Sequence, residues 1–551
     1  MLKRLRVLFV AVVVLGALLA AAAPALAVHR PTKVMIVVMD QMKPGYAKQF
    51  NMKNVLMLQN KGATFPNAYL GHMEAATVIS HNVMVSGLLP KHMGWSDELF
   101  RDVDNILGYG ENALVMTGDL GAADFAKLIE NMDYPKLGDY LHAKFPGKIV
   151  ACVGEKGYQV DSMAASSSDY WVRFGSKKKT ADLADPSVLP WSGTYRGAGG
   201  NPPPYIASDN RFMVSVGNSS DTYGTASAWP SWLYPEDGRM VPGTIAGHES
   251  GDNWVADATT AIMEHEDWSG LFVNFGAIDK IGHMWGGGRV DTVANYNWDP
   301  SSIVEDMVHM PFAAKNADDQ LGKLIAKLKE LNQFDDTLIV VTSDHGALTG
   351  ENFYGEDALN AGNANWYTGT WFPGPITSLP GQPSLQPLMA TGNVAVSYND
   401  TSIHTWLVDR TGAKKREAAA AIGTLPGVIA TYVKNGDRYR LYSSSADMTV
   451  AERAWWSAHG QELVDTMCFS GSADVVGLLA DNTSYGAFGD HSGAQKEVQR
   501  VPMVFYAQGM KHAVSKVRMR CVDIMPTILK NMGITPTEPM DGSAYSLKLP
   551  K

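Results

Sequence analysis

Five short runs of β-branched and other apolar residues are spaced along the chain, and each run ends in polar residues. These runs are Val34–Met39, Lys148–Cys152, Leu271–Phe275, Thr337–Thr342 and Pro502–Tyr506. Continuous apolar strands of this kind are typical of a sheet that is buried on both faces. The pattern therefore predicts core strands of a buried sheet at these five places.

Helical periodicity appears between the predicted strands. One face of a predicted amphipathic helix carries Leu321, Leu324, Ile325, Leu328 and Leu331. A second helix is predicted over Asp523–Met532, and Gly533 is expected to end it. Strands that alternate with helices along a chain predict an α/β fold.

Two stretches interrupt this alternation, from about residue 176 to 252 and from about residue 350 to 400, and both are rich in Gly, Pro, Ser and aromatic residues. Long irregular segments in a compact enzyme are often lids or binding walls. We therefore expect one domain over residues 28–551, with cap insertions near 176–252 and 350–470. The aromatic residues Trp229, Trp232 and Tyr234 either line a substrate pocket or pack on the surface.

The N-terminus has the pattern of a secretory signal peptide. Basic residues at positions 3, 4 and 6 precede an apolar run, Val7–Ala23, and small residues follow at Ala25 and Ala27. This pattern predicts cleavage after Ala27, whereas the alternative is an uncleaved membrane anchor. No later run is long and apolar enough for a membrane span. We therefore predict an exported protein, periplasmic or extracellular, without a stable membrane span.

Composition and charge restrict the binding partners. The apolar fraction of 45% suits a globular chain with a sizeable core, and the net charge is -10. An acidic protein does not bind nucleic acid through its general field, so an anionic substrate needs local positive charge, such as metal ions. The cysteines Cys152, Cys468 and Cys521 show no CxxC spacing. Two of them could pair in an exported protein, but buried free thiols are favoured for Cys152 and Cys521.

Acidic and histidine residues follow three of the predicted strands. Asp40 follows the first strand directly, Asp279 and His283 follow the third, and Asp344-His345 follows the fourth. Ligand sites in parallel α/β sheets form beyond the carboxyl ends of the strands. Carboxylates together with imidazoles suit zinc or a similar divalent ion. Each residue alone is more typical of a helix cap or a structural side chain, so the prediction of a metal site rests on their agreement.

Thr77 is a candidate nucleophile in the segment His72–Pro90, where it would begin a helix. The dipole and the free N–H groups of a helix N-terminus favour phosphate. A hydroxyl bound to a metal would also be a better nucleophile. On the local pattern alone, however, a plain helix cap is the better interpretation of Thr77. His81, one turn later, could face the same site, but a packing or capping role is favoured. The other histidines, including His404, are interpreted as structural.

These segments together resemble the alkaline phosphatase superfamily, specifically its nucleotide pyrophosphatase/phosphodiesterase-like branch. The matching pieces occur in family order over nearly the whole chain after residue 27. They are VVMDQMKPGY, TVISHNVMVSGLLPKHMG, GAIDKIGHMWG, TLIVVTSDHG, GAFGDHSGAQKEVQRVPMVFYAQG and VRMRCVDIMPTILKNMGITPTEPMDG. The resemblance implies an alkaline-phosphatase-like three-layer sandwich with a central, mostly parallel sheet and inserted cap segments.

The resemblance also implies a chemistry, namely an exported phosphohydrolase that acts on a small phosphate ester through a phospho-threonine intermediate. It implies two divalent metal ions, with zinc favoured. The implied residues are Thr77 as the nucleophile, one metal site of Asp279, His283 and His491, and a second metal site of Asp40, Asp344 and His345. The alternatives are a phosphonate hydrolase with the same residues, similar to phosphonoacetate hydrolase, and a catalytically idle metal-binding protein.

One segment departs from the family pattern. Many diesterase-type members have an asparagine downstream of the nucleophile that binds a phosphoryl oxygen, whereas this chain has Asp97 and Glu98 there. A carboxylate repels a phosphate dianion unless it is protonated or paired with a metal. Glu98 is therefore a candidate residue for contact with the substrate. Its charge means that the sequence does not decide between phosphomonoesters and phosphodiesters as substrates. Lys156, after the second predicted strand, is a candidate phosphate donor, and a solvated loop lysine is the competing interpretation.

Overall fold

The computed structural model describes residues 29–96, 98–154, 156–173, 205, 251–279, 282, 309–348, 352–353, 386–485 and 489–550. The strands in these ranges are β1 (Lys33–Met39), β2 (Ala63–Thr64), β3 (Leu99–Asp102), β4 (Ala113–Met116), β5 (Ile149–Gly154), β6 (Tyr170–Arg173), β7 (Trp268–Phe275), β8 (Thr337–Thr342), β9 (Asn352–Phe353), β10 (Val394–Asn399), β11 (Ser402–Leu407), β12 (Val428–Asn435), β13 (Arg438–Ser444), β14 (Val475–Leu479), β15 (Thr483–Ser484), β16 (Met503–Tyr506) and β17 (Ala513–Val514).

The α-helices of the same ranges are α1 (Tyr46–Gln49), α2 (Lys53–Lys61), α3 (Thr77–Ser86), α4 (Pro90–Met93), α5 (Ala122–Met132), α6 (Leu137–Lys144), α7 (Gly157–Ala164), α8 (Gly251–His265), α9 (His309–Glu330), α10 (Gln386–Met389), α11 (Gly412–Ile422), α12 (Val450–Thr466), α13 (Lys496–Gln499) and α14 (Ile524–Met532). Short 3₁₀ turns occur at Thr117–Asp119, Phe334–Asp336 and Cys521–Asp523.

The larger sheet has the strand order β17-β2-β16-β8-β1-β7-β5-β6. The strands from β8 to β6 in this order are parallel, and β16 runs antiparallel to both β8 and β2. All five apolar runs singled out in the sequence are strands of this sheet. The predicted α/β fold with a central, mostly parallel sheet is therefore confirmed.

Strand β1 lies at the centre of the parallel block, and all seven of its residues are buried. In the register of the sheet, Val38 lies opposite Asn274 of β7 on one side and Thr342 of β8 on the other. On the far side of β7, Gly154 of β5 pairs with the same Asn274. These four neighbouring strands therefore end at the same level, so the loops after them begin at one edge of the sheet.

The predicted helices are confirmed. Helix α9 contains the predicted leucine face except Leu331, which follows the last helical residue, and Leu321, Leu324 and Leu328 belong to the same hydrophobic core as β1. Helix α14 ends at Gly533, whose φ of +70° places it in the left-handed conformation that favours glycine at a helix C-terminus. Thr77 is the first residue of α3, after an extended Ala76.

Residues 394–479 contain a second, antiparallel sheet with the strand order β10-β11-β14-β12-β13, here called the cap sheet. It overlaps the cap insertion predicted near residues 350–470, although its strand β14 ends later, at Leu479. The role of this sheet as a cap stays a prediction. The other predicted cap, near residues 176–252, lies outside the described residues except for Tyr205 and the first two residues of α8, so Trp229, Trp232 and Tyr234 are not described.

Three other predictions from the sequence concern the signal peptide, membrane-spanning helices and the cysteines. The predicted signal peptide, residues 1–27, lies outside the described residues. Within the described ranges, no helix is long and apolar enough to cross a bilayer. The described cysteines, Cys152, Cys468 and Cys521, are all buried free thiols.

A fully buried lysine stands at the start of α6. The ammonium group of Lys136 donates to the carbonyl oxygen of Ser162 at 2.8 Å, to that of Ala165 at 3.3 Å, and to Asn82 Oδ1 at 3.4 Å. Burial lowers the pKa of Lys136 from 10.5 to about 7. Between pH 7 and pH 10.5, Lys136 is therefore protonated more often in the unfolded chain than in the folded chain. As the pH rises through this range, the contribution of Lys136 to the free energy of unfolding increases.

Lys136→Met is expected to remove this contribution. Relative to the variant, the wild-type protein should gain up to roughly 4 kcal/mol of unfolding free energy between pH 7 and pH 10, at about 1.4 kcal/mol per pKa unit. Chemical unfolding at several pH values measures the difference. The matched control is Lys48→Met, because Lys48 is an exposed lysine of α1. Parallel pH profiles for the wild type and Lys136→Met would contradict the prediction.

Candidate active site

Charged residues follow four neighbouring parallel strands at the carboxyl edge of the larger sheet, namely β8, β1, β7 and β5. In this order the residues are Asp344, Asp40, Asp279 and Lys156. His345 follows Asp344 directly, and all five side chains are buried. The parallel direction and common register of the strands explain why residues more than 300 positions apart in the sequence meet here.

His345 lies at the centre of the buried cluster. Its Nε2 is 3.5 Å from Asp40 Oδ1 and 3.5 Å from Asp344 Oδ2. Its ring stacks on the ring of His491, with centroids 3.7 Å apart. His491 Nε2 in turn is 3.7 Å from Asp279 Oδ1. Five of the six predicted metal ligands are thus brought together, and the sixth, His283, lies outside the described residues.

The hydrogen bonds of the two histidines determine which ring nitrogen carries a lone pair. His345 Nδ1 lies 3.0 Å from the carbonyl oxygen of Gly346, and His491 Nδ1 lies 3.1 Å from that of Ala75. A carbonyl oxygen only accepts, so both Nδ1 atoms must carry the proton. The lone pair of each neutral ring is then on Nε2, the atom that faces the carboxylates. Burial also lowers the pKa of His345, which favours the neutral ring.

Thr77 joins this cluster from the N-terminus of α3. Its hydroxyl oxygen is 3.3 Å from His345 Nε2 and 3.1 Å from Lys156 Nζ. The side chain is nearly fully buried, with 3% of its surface exposed. The predicted helix start is confirmed, and the hydroxyl lies among the predicted metal ligands. This position allows Thr77 to do more than cap the helix.

Lys156 is the positive charge at the centre of the acidic groups. Its Nζ is 2.9 Å from Asp40 Oδ2 and 2.6 Å from Asp279 Oδ2, in addition to its contact with Thr77. Burial disfavours the charged form, but Asp279 and Asp40 outweigh this effect and hold the pKa of Lys156 well above its ordinary value. Lys156 is therefore an ammonium donor, and its interpretation as a solvated loop residue is wrong.

The carboxylates of the cluster have pKa values shifted in opposite directions. Burial and the nearby charge of Asp344 raise the pKa of Asp40 well above its ordinary value. Burial acts in the same direction on Asp344, but His345, His81 and Lys156 outweigh it and lower the pKa of Asp344. Acidic groups packed this closely with little exposure are characteristic of functional sites.

Gln41 connects the two groups of acidic residues and was not identified from the sequence. Its backbone N–H donates to Asp344 Oδ1 at 3.2 Å, and its side-chain amide donates to Asp279 Oδ1 at 3.1 Å. Its φ of +64° is unusual for a residue with a side chain. The amide oxygen lies against Gly282, where a Cβ atom would be only 1.6 Å away. A side chain at position 282 would therefore force the amide of Gln41 to move away from its present position.

His81 and Asn274 support the cluster from behind. His81 Nδ1 donates to the carbonyl oxygen of Thr77 at 2.7 Å, which leaves its Nε2 to accept from the amide of Asn274 at 3.2 Å. The same amide donates to Asp40 Oδ2 at 3.3 Å. Burial lowers the pKa of His81 to about 4, in agreement with a neutral ring. His81 thus has the predicted local bond, but it also faces the site. The polar Asn274 within an apolar strand was a signal that could have been used.

Two features of the cluster fit bound divalent ions. Ligand atoms of Asp40, Asp344 and His345 lie within 4.8 Å of one another, and so do those of Asp279, His345 and His491. Asp344 Oδ2 is buried, and no described residue forms a hydrogen bond with it. Buried polar atoms normally have partners, so this oxygen and the histidine lone pairs are suited to coordinate cations.

Glu98 directly precedes β3. It is half-buried, and its carbonyl oxygen accepts from the backbone N–H of Thr117 at 3.0 Å. Burial raises the pKa of Tyr158, and the charges of Asp279, Glu98 and Asp40 raise it further. Glu98 and two carboxylates of the cluster therefore raise the pKa of the same tyrosine. The role predicted for Glu98 at the substrate stays a prediction.

The fold is similar to that of solved structures of alkaline phosphatase. The crystal structure of wild-type alkaline phosphatase PafA superposes with a TM-score of 0.60 at 14% identity, covering 92% of this chain and 97% of that chain. A PafA mutant with four substitutions superposes with a TM-score of 0.61 at the same identity and coverage. Murine ectonucleotide pyrophosphatase/phosphodiesterase 5 is 12% identical, with a TM-score of 0.48 over 93% of this chain and 97% of that chain.

The sequence itself defines the family. The family model described as type I phosphodiesterase / nucleotide pyrophosphatase matches residues 34–485. This chain therefore belongs to the type I phosphodiesterase / nucleotide pyrophosphatase family, a family of phosphoester hydrolases, and the resemblance inferred from its motifs is confirmed. No curated protein matches the chain.

Proposed function

We propose that this protein is an exported, metal-dependent phosphoester hydrolase that forms a phospho-threonine intermediate on Thr77. The observation that carries the proposal is the position of the Thr77 hydroxyl, 3.3 Å from His345 Nε2 and 3.1 Å from Lys156 Nζ. A hydroxyl at a helix N-terminus, between an ammonium group and metal-ligating side chains, is well placed to attack phosphorus. Export rests on the predicted signal peptide, and the N-terminal residue of the mature protein is its test.

Two metal sites would use the residues of the cluster. Asp40, Asp344 and His345 would hold one ion, and Asp279 and His491 would hold the other together with His283. Bound divalent ions, with zinc favoured by the mixture of carboxylate and imidazole ligands, would supply Lewis acidity and neutralise phosphoryl charge. The orphaned oxygen of Asp344 supports this assignment.

In the first step, the Thr77 hydroxyl would release its proton to solvent and its oxygen would form a bond to phosphorus, while the leaving-group oxygen departs with the bonding electron pair and takes up a proton from solvent. Lys156 would donate to the developing charge near the Thr77 oxygen, because its Nζ lies 3.1 Å from that oxygen. In the second step, a water oxygen would form a bond to phosphorus and release a proton, the bond to Thr77 would break, and the Thr77 oxygen would take up a proton to regenerate the hydroxyl. The helix N-terminus would hold the phosphoryl group between the two steps.

Phosphodiesters are the favoured substrate class because of the family, and phosphomonoesters are the second candidate because of Lys156. A buried ammonium group 3.1 Å from the nucleophile suits the additional negative charge of a monoester. A phosphonate hydrolase with the same residues is the remaining alternative. An idle metal-binding protein is disfavoured, because it has no need for a hydroxyl and an ammonium group among its ligands.

The proposal is tested by assaying an aryl phosphodiester and an aryl phosphomonoester side by side, before and after chelation and with zinc restored. We expect hydrolysis of at least one ester, lowered at least about tenfold by chelation and recovered with zinc. The ratio of the two rates gives the substrate class. Lack of hydrolysis of both esters with zinc present, or hydrolysis that chelation does not affect, would overturn the proposal.

A further inference from the structure

A second buried polar cluster lies between the cap sheet and the active site. Its members are Glu74, three residues before Thr77, and Ser402 and His404 on β11 of the cap sheet. They are 1%, 2% and 4% exposed, respectively, so water does not satisfy their polar atoms. Burying such groups is costly unless they are hydrogen-bonded, which makes their bonding pattern informative.

The two-residue period of a strand explains why Ser402 and His404 share one face of β11. On the opposite face, Ile403 and Leu407 pack into a hydrophobic cluster that also contains residues of α11. Trp406, on the same face as His404, packs into a different hydrophobic cluster. The face of β11 that carries Trp406 could be wholly apolar, but hydrogen-bonding residues, Ser402 and His404, occupy its other two positions. These positions are at the end of β11 that lies nearest to the active site.

The directions of the hydrogen bonds follow from their acceptors. The carbonyl oxygen of Ser492 can only accept, so the hydroxyl of Ser402 donates to it at 2.8 Å. The same hydroxyl oxygen then accepts from His404 Nε2 at 3.0 Å. On the other side of the ring, His404 Nδ1 lies 3.4 Å from Glu74 Oε1. The cap sheet is thus joined to the segment before Thr77 and to the residue after His491.

Ser492 is the strained point of this arrangement. Its φ of +82° lies in the left-handed region that residues with a side chain rarely adopt. Such conformations are unfavourable and persist only where the surrounding structure enforces them. The N–H of Ser492 donates to the carbonyl oxygen of Ala75 at 3.0 Å, and its own carbonyl accepts from Ser402. The same oxygen of Ala75 accepts from His491 Nδ1 at 3.1 Å.

We propose that Ser402 and His404 are positioning residues that clamp the strained Ser492 and thereby orient the ring of His491 towards the metal site. The proposal rests on the proposed function, because it assigns His491 to a bound ion. Through Ser402, the cap sheet contributes to the geometry of the catalytic centre without touching the substrate. Partners that orient a metal ligand commonly change metal affinity or activity by about 10- to 100-fold when they are removed.

Ser402→Ala tests the clamp, since it removes one hydroxyl and leaves the strand intact. We expect zinc affinity at the site that would include His491 to fall by about 10- to 100-fold and kcat to fall with it, while Ser402→Thr restores both. We also expect faster hydrogen exchange in residues 489–493 of the full chain. The matched control is Ser397→Ala, because Ser397 is a buried, hydrogen-bonded serine on the adjacent strand β10 whose partners are Asn399 and Thr405.

Each outcome separates the clamp from a general loss of stability and from a failure of the proposed function. If Ser402→Ala and Ser397→Ala have the same zinc affinity and kcat, the positioning role is wrong, even if the melting temperature falls in both. If the wild-type protein binds no divalent metal ion, the proposed function is wrong. Hydrogen exchange then still decides whether Ser402 clamps Ser492, because equal exchange in residues 489–493 of both variants would overturn the clamp as well.

Discussion

Thr77→Ala is expected to lower kcat for every substrate of this protein by on the order of 10⁴-fold or more, because alanine lacks the hydroxyl that would attack phosphorus. The reaction would lose the phospho-threonine intermediate and not merely a hydrogen bond. Zinc content should stay at the wild-type level, because the carboxylate and imidazole ligands are unchanged. Steady-state kinetics and elemental analysis of the same preparation measure the two quantities.

Two further variants make the result specific to the nucleophile. Thr77→Ser keeps a hydroxyl at the same position and should retain turnover within about 100-fold of the wild type. Ser80→Ala removes the hydroxyl of a buried serine one turn later in α3, which contacts His72 Nε2 at 3.4 Å, and should change kcat little. Acid quenching during turnover should give a phosphorylated peptide that contains Thr77. Turnover retained by Thr77→Ala, or lost only together with zinc, would show that Thr77 is not the nucleophile.

The sheet and most of the site could be predicted because both depend on short stretches of sequence. A buried parallel strand appears in the sequence as a continuous apolar run. The register of neighbouring parallel strands places the residues that follow them at the same edge of the sheet. Asp40, Asp279 and Asp344 could therefore be predicted to meet before their distances were known. Assigning Thr77 needed the family resemblance, since a threonine at a helix start is locally no different from a cap.

Other parts of the site depend on contacts that no local pattern encodes. Lys156 follows a strand that was predicted, but only the packed sheet shows that its ammonium group reaches Asp40 and Thr77. Glu74 and His404 are more than 300 residues apart, and His404 was interpreted as structural because a lone histidine in a strand has no partner pattern. The conformation of Gln41 depends in the same way on Gly282 and on the carboxylates around it.

Lys156→Met is expected to lower kcat/KM for an aryl phosphomonoester by about 10²- to 10³-fold, the usual effect of removing a donor from developing oxyanion charge. The loss for a diester should be smaller, about tenfold, because a diester carries less negative charge for the ammonium group to stabilise. Zinc affinity should rise, because the ammonium group 2.9 Å from Asp40 and 2.6 Å from Asp279 repels a divalent cation that these carboxylates would bind. Paired kinetics with both esters and a chelator competition for zinc measure these changes.

The matched control for Lys156→Met is Lys136→Met. Lys136 is also fully buried, and its ammonium group contacts α7, the helix that follows Lys156, through the carbonyl oxygen of Ser162. Because Lys136 bonds to carbonyl and amide oxygens rather than to the site, its replacement should leave the ratio of monoester to diester rates and the zinc affinity unchanged. Opposite changes in activity and zinc affinity for Lys156→Met alone would identify Lys156 as a donor to the phosphoryl group. A parallel loss of zinc and of both activities would instead mean that Lys156 holds the carboxylates in place, and the substrate-binding role would be wrong.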